Sequence, residues 1–515
     1  MAAALPRDVR RIAVVVIVGA VMSILDTTIV NVALETLRID LRAPLSTIQW
    51  VSTGYLLALA TAIPLTGWAA ERFGPRRVWM TVVAAFVTTS GLCGVAWSAE
   101  SLIAFRVLQG FAGGMIMPIG MITLAQAAGP SRMGRVMSIV GVPMLLAPVF
   151  GPVLGGAIVD NLSWRWIFFV NLPIGIAGLL LARRLLPSAR ATGQDPAAGL
   201  ERPALDWRGL LLVSPGVGAI VLGISEYGAH RTFAALTAWL PLALGLLAVA
   251  AFAAYALRTR YPIIAVSLFR SRGFSAAAAT VFLTGIALFG SMILLPLYYQ
   301  IARGESPLVA GLLLAPQGLG AAIGINLSGR ATDRYGGGRV VLVGLAFLLA
   351  GTAIFTQVGA TTSYWLIGGA LVLRGIGLGG SMMPSMAAAY ATLTRNQVPR
   401  ATPALNVLQR IGGSIGGALL IVILQNHLVS GTGRGAQGGV SGAALPEAAR
   451  LRIADPLAEA FAHTFWYALA LSAAALIPAL LLALEERRTR RQMAAPPETE
   501  ALDGEQARPA AIGAA

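Results

Sequence analysis

The sequence predicts an all-α, polytopic membrane protein: two six-helix bundles with two additional helices between them, fourteen spans in all. Three observations predict it. Hydrophobic residues fill 57% of the 515 positions and charged residues only 12%, against about 25% charged in a soluble domain. The apolar residues gather in runs of about 20, the length a helix needs to cross about 30 Å of hydrocarbon. A pattern also occurs twice: Gly67-Trp-Ala-Ala-Glu71-Arg72-Phe-Gly74 returns as Gly329-Arg-Ala-Thr-Asp333-Arg334-Tyr-Gly336.

The elements follow in order. Met1 to Arg11 is short and basic and leads into an apolar run that carries Asp26. That run is too long for a secretory signal and lacks a small-x-small cleavage site, so it reads as the first span, 12–34. The first block continues with spans at 49–70, 78–98, 102–125, 135–159 and 165–186. Runs at 208–226 and 235–257 are the two additional spans. The second block has spans at 274–301, 306–329, 339–358, 363–386, 401–426 and 463–484. The repeated pattern follows the second span of each block, and Gly113-Gly114-Met-Ile-Met-Pro118 is echoed by Gly379-Gly380-Ser-Met-Met-Pro384. Parallel duplication of this kind builds many secondary transporters, with the substrate site between the halves. The expected domains are a bundle at 1–186, a linker with two extra helices at 187–273, a second bundle at 274–485 and a tail at 486–515. The second bundle includes an extracytoplasmic loop at 427–462.

The net charge of +16 comes from 38 basic residues, all of them arginine, which fits a GC-rich bacterial genome. With the N-terminus inside, 27 arginines fall in cytoplasmic segments, 8 in outer ones, and Arg106, Arg374 and Arg410 within spans. This asymmetry expects both termini in the cytoplasm and a bacterial cytoplasmic membrane; it does not describe a nucleic-acid surface. The single cysteine, Cys93, excludes an internal disulfide. The three histidines lie near loops or span ends. Neither a metal-ligand set nor a nucleophile–base cluster appears, so no metal or cofactor is expected, and a membrane-embedded enzyme is disfavoured.

Of 22 acidic residues, Asp26 alone falls well inside a span. A carboxylate there is costly unless paired, protonated or facing water, and a group so placed is suited to exchanging protons. Asp26 lies about 12 Å below the outer surface and Arg106, on span four, about 8 Å below, at 1.5 Å per residue, so the two are expected to meet. A purely structural ion pair is the alternative. Span five carries four glycines and three prolines between Gly141 and Gly156, a composition for close helix packing and kinks. Arg374, deep in its span, contacts either an anionic substrate group or backbone carbonyls. Arg410 is expected to snorkel to the cytoplasmic surface.

These motifs jointly resemble the major facilitator superfamily and, within it, the fourteen-span drug:proton antiporters of the EmrB/QacA type. The resemblance rests on Leu25-Asp26-Thr27-Thr28-Ile29-Val30-Asn31-Val32-Ala33, on Gly67 through Arg77, on Arg106-Val-Leu-Gln109-Gly110 and on Gly151-Pro152-Val-Leu-Gly155-Gly156. Trp164 through Pro173 and Leu295-Pro296-Leu-Tyr-Tyr299-Gln300 add to it. Departures are Glu35 for the usual proline, Glu71 for the usual aspartate, and Pro75 within the arginine cluster. The resemblance implies a proton-coupling role for Asp26 and Arg106. It implies an antiporter motif of Gly141, Gly151, Pro152, Gly155 and Gly156, packed against the opposite half. The cytoplasmic gate would comprise Gly67, Glu71, Arg72, Gly74, Arg76, Asp333 and Arg334. Asn31, Gln109 and Tyr299, which stand in those motifs, and Arg374 are candidates for the substrate cavity.

The expected activity is export of small lipophilic organic compounds in exchange for protons, by a monomer driven by the proton gradient. Its partners are the substrate, protons and the bilayer; nucleic acid is excluded and a periplasmic adaptor is left open. A single intramembrane acid favours neutral or monovalent compounds over dications. The rivals are a proton-coupled importer, a membrane enzyme and a sensor.

Overall fold

The computed structural model describes residues 6–129, 132–187, 204–230, 236–394, 396–432 and 447–494, and among them every regular element is a helix. The rest of the 187–207 linker, of the 427–462 loop and of the 486–515 tail lies outside the described residues, as do the side chains of Glu35 and Pro152.

The first half contains α1 (Arg7–Asp40), α2 (Leu45–Ala62), α3 (Leu65–Phe73), α4 (Pro75–Gly94), α5 (Ala99–Ala128), α6 (Met133–Asn161), α7 (Trp166–Phe169) and α8 (Asn171–Leu185). Two further helices, α9 (Trp207–His230) and α10 (Leu236–Ala256), form a hairpin. The second half contains α11 (Arg272–Leu297), α12 (Pro307–Leu313), α13 (Ala315–Tyr335), α14 (Gly337–Phe355), α15 (Tyr364–Ala391), α16 (Val398–Thr432), α17 (Glu447–Ala474) and α18 (Leu476–Ala494). Among the described residues, twelve helical segments are long and apolar enough to cross a membrane. The count is thirteen if α2 and α3, bent by 54° at Pro64, form one span. The fourteen expected are therefore approached; the expected fifth span coincides with α6, whose 29 residues reach well beyond a bilayer's hydrocarbon in length.

The expected outer loop at 427–462 is shorter than the sequence suggested. α16 runs on to Thr432 and α17 starts at Glu447, because the alanine, leucine, glutamate and arginine around 447–460 favour helix.

Small residues set the helix spacing. A side chain at Gly110 or Gly114 on α5 would strike the carbonyls of Tyr55 and Leu59 on α2. In the second half, Gly375 and Gly379 on α15 stand in the same way against the carbonyls of Gln317 and Ala321 on α13. The repeat read from the loops thus extends to the packing. Gly74 and Gly336, which close the repeated pattern, both turn at positive φ, 83° and 96°, a conformation that other residues adopt only at a cost.

The α9–α10 hairpin packs against α2 and α16, one helix from each half. Its open end is tied by Asp206, whose carboxylate accepts from Tyr255 Oη (2.8 Å), Gly209 N (2.9 Å) and Ile263 N (3.1 Å).

Candidate functional site

The site is assembled around α1. Asp26 is fully buried at its middle. On α5, Arg106 and Gln109 are three residues apart and therefore share a helical face. The close approach of α5 to α2 delivers the Arg106 guanidinium to the Val51 carbonyl (Nε to O, 3.2 Å) and onto the Tyr55 ring, 3.9 Å from its centroid. Arg106 Nη1 then donates to Asp26 Oδ2 at 2.7 Å and to Gln109 Oε1 at 2.8 Å. Gln109 Nε2 donates to Asp26 Oδ1 at 3.0 Å.

A fourth residue completes the shell. Asn171, the first residue of α8, donates through Nδ2 to Asp26 Oδ1 (2.8 Å) and to Ser90 Oγ (3.1 Å). Ser90 in turn donates to the Phe168 carbonyl. The Asn171 Oδ1 atom is buried with no hydrogen-bond partner. The carboxylate therefore accepts three hydrogen bonds, one from a cation, and all its neighbours present donors to it. Such a shell fits the ionised acid. A protonated Asp26 brings an O–H that needs an acceptor, so at least one contact must rearrange when a proton binds.

Sequence reasoning brought Asp26 and Arg106 together and placed Gln109 beside them in a motif, with a cavity rather than a proton shell in view. It missed Asn171, Ser90 and Tyr55. An acid stands out in an apolar run, whereas the informative signal here was an amide in the stretch Trp164–Pro173.

The other predicted residues divide. Asn31 is exposed and accepts from Ser52 Oγ at 3.1 Å. Tyr299 is buried in a π-helical turn, Tyr298–Ala302, beside Tyr298 and Tyr364. Arg374 is buried and donates to Gln317 Oε1 (2.9 Å) and Thr352 Oγ1 (3.3 Å), both within its own half. The α6 motif splits by helical face. Gly141 meets Met383 of the opposite half, 2.9 Å from where a Cβ would stand. Gly151 and Gly155 instead press on Thr28 and Ile29 of α1, just past Asp26, and Gly156 faces open space. The motif as a whole therefore does not lie against the opposite half, because α6 rotates its small residues between two neighbours.

At one end of the bundle the two copies of the repeated pattern each reach across to the other half. Gly67 lets α3 touch the Pro399 carbonyl, and Glu71 accepts from Arg400 Nε (3.0 Å) and Nη2 (3.0 Å). Reciprocally, Gly329 abuts Ser138, and Asp333 accepts from Arg135 Nε (2.8 Å) and Gly134 N (3.0 Å). Arg76 donates to the Arg183 carbonyl at 2.7 Å. Arg334 stacks on Tyr335, and Arg72 is half-buried. Two latches thus hold together the ends of the two halves that carry the repeated pattern.

Comparison with known proteins agrees with this architecture. Residues 16–417 match the Major Facilitator Superfamily. The chain is 41% identical over 502 residues to the multidrug resistance protein B homolog of Mycobacterium tuberculosis, covering 93% of this chain and 91% of that protein. It is 31% identical to the multidrug export protein EmrB of Haemophilus influenzae, over 79% of this chain and 78% of that one. It is 29% identical to the tetracenomycin C resistance and export protein of Streptomyces glaucescens, over 80% and 75%. Among solved structures, the proton:xylose symporter XylE superposes with a TM-score of 0.59 at 14% identity, covering 91% of this chain and 94% of that one. A bacterial homologue of the iron transporter ferroportin superposes with a TM-score of 0.56 at 15% identity, covering 92% and 99%. At those identities the structures share the fold alone.

Proposed function

The chain belongs to the major facilitator superfamily, and from that membership we propose a proton-coupled exporter of small lipophilic organic compounds, drugs or antibiotics. The observation that carries the proposal is the buried Asp26 carboxylate, satisfied by Arg106, Gln109 and Asn171. Relatives named for multidrug resistance and for export favour the outward direction.

The geometry supports the following cycle. With both latches made, the inner path is closed. A proton arriving from outside neutralises Asp26, which weakens the charge-assisted bond to Arg106 and forces the amide shell to rearrange. Gly151 and Gly155 transmit that change, because they hold α6 against the segment of α1 next to Asp26, and α6 also carries the Arg135 end of one latch. Opening inward breaks the latches; substrate binding and proton release into the cytoplasm reverse the motion. Moving one charge across the potential supplies about 2.3 kcal/mol per 100 mV. That is comparable to a partly buried ion pair, so the proton's passage is able to bias the equilibrium.

On this reading the protein is a transporter and not an enzyme, works without a cofactor, and functions as a monomer in the bacterial cytoplasmic membrane with both termini inside. Asp26→Asn tests it. In proteoliposomes the variant is expected to lose uphill export and substrate-driven proton release. Undiminished coupling in a correctly inserted Asp26→Asn protein overturns the mechanism.

A further inference from the structure

The sequence position of Arg410 suggested that it snorkels to the cytoplasmic surface; the helix face it occupies points to a further role. It lies roughly midway along the apolar span Val398–Leu428. Its side chain is exposed, and an arginine at that depth faces the interior of a bundle or a water-filled cleft. Seven residues earlier on the same helical face is Pro403, which borders Gly67 of the first half. That face therefore looks across the seam. Among the described residues no carboxylate or hydrogen-bond acceptor is paired with Arg410.

We infer that Arg410 is the anion-recognition group of the chamber between the two halves, and that the preferred cargo is a lipophilic organic compound bearing a carboxylate or similar acidic group. The inference rests on the export reading above. The charges decide it. Asp26 and Arg106 pair with each other inside the first half, so neither compensates Arg410, and among the described residues no carboxylate does. An intramembrane arginine is costly unless a partner or water compensates it, and a bound carboxylate supplies that partner through the planar, two-pronged geometry of the guanidinium. A cationic compound instead adds a second like charge. The expectation of neutral or monovalent cargo read from the single intramembrane acid narrows accordingly, toward neutral and anionic compounds.

The test uses the full-length protein in proteoliposomes and a matched pair of fluorescent compounds, an aryl carboxylate and its methyl ester, with a quaternary-ammonium homologue as third member. The wild type is expected to export the carboxylate at least about tenfold more efficiently than the ester, the span of one charge-assisted hydrogen bond. Arg410→Gln is expected to collapse that ratio and Arg410→Lys to restore part of it. The ratio, not the absolute rate, is the readout, so a general loss of transport leaves it unmoved. Should Arg410→Gln not fold, the wild type alone decides: the free carboxylate is expected to block ester export at lower concentrations than the ammonium homologue does. Equal potency of the two blockers, a wild-type ratio near one, or a ratio unchanged in Arg410→Gln overturns the inference. Proton-coupled ester export in the same vesicles shows separately whether the export reading itself stands.

Discussion

Glu71→Gln is expected to open the cytoplasmic side. Glu71 and Arg400 join through bonds of 3.0, 3.3 and 3.0 Å, with side chains 18% and 24% exposed. A fully desolvated pair broken on one side costs about 3–5 kcal/mol, and an exposed one costs about 0–1 kcal/mol. This pair lies between those limits, so about 2 kcal/mol is the working figure. Because the pair exists only while the inner ends are closed, its loss falls wholly on that state. At 1.4 kcal/mol per tenfold, the inward-closed population is expected to fall about thirtyfold relative to the open one. A reporter is available at the other latch, where Ser138 is buried against Gly329. Cys93, the one native cysteine, is replaced by serine, and Ser138→Cys is alkylated by a membrane-impermeant maleimide in inside-out vesicles. Labelling is expected to speed up by tenfold or more with Glu71→Gln, and to return toward the starting rate in the charge-reversed pair Glu71→Arg with Arg400→Glu. A labelling rate unmoved by Glu71→Gln, or a reversed pair no slower than either single change, refutes the latch.

Asn171→Ala removes a hydrogen bond to a charged group, worth about 1.5–3 kcal/mol. It is expected to lower the melting temperature in detergent clearly in the wild type and much less in an Asp26→Asn background; additive effects in the double-mutant cycle count against the shell. Gly151→Ala places a methyl on Thr28, so a loss of about 1–3 kcal/mol from overpacking and slowed transport are expected. Gly156→Ala faces open space and is expected to change neither; equal behaviour of the two variants sinks the packing argument. Glu486 accepts from the backbone N–H groups of Gly337 (3.1 Å) and Gly338 (3.0 Å) at the start of α14. Glu486→Gln is therefore expected to cost about 1 kcal/mol in thermal stability, and a melting curve superimposable on the wild type contradicts that.

Much of this molecule was legible in its sequence because the bilayer imposes a coarse grammar. An apolar run of a given length has few alternatives to a spanning helix, and a lone acid within such a run must find a partner, which is how depth alone joined Asp26 to Arg106. Amides carry no such penalty in a hydropathy profile, so Asn171 passed as a signature residue although it bonds the carboxylate directly. Helix rotation was equally hidden. Arg410 and Arg374 look alike as arginines in apolar runs, yet one faces the seam and the other turns into its own bundle toward Thr352 and Gln317. Spacing locates a residue along the membrane normal; which neighbour it meets depends on packing, and the packing here is set by glycine contacts such as Gly110 on Tyr55 and Gly151 on Thr28.

Those same glycines give the two halves like packing, and the comparison bears on the proton stoichiometry. Gly110 and Gly114 on α5, like Gly375 and Gly379 on α15, each rest on carbonyls one turn apart on the partner helix, one residue away from the motif register that sets Gly114 against Gly380. In this packing Arg374 and Gln109 each immediately precede the first glycine, and Gln317 and Tyr55 each supply the carbonyl beneath it. The second half therefore repeats the frame without the chemistry: α11 contains no acidic residue, and Asp26 is the one buried carboxylate among the described residues. One proton per cycle is expected. With a neutral substrate such a cycle moves one charge inward, so a potential of 100 mV, worth about 2.3 kcal/mol, limits the substrate gradient to about fortyfold when no pH difference is present. Proteoliposomes clamped with potassium and valinomycin measure that limit directly. A limiting gradient above a thousandfold at that potential means that two protons travel, and a gradient indifferent to the potential means that none does; either result contradicts a single carboxylate as the coupling group.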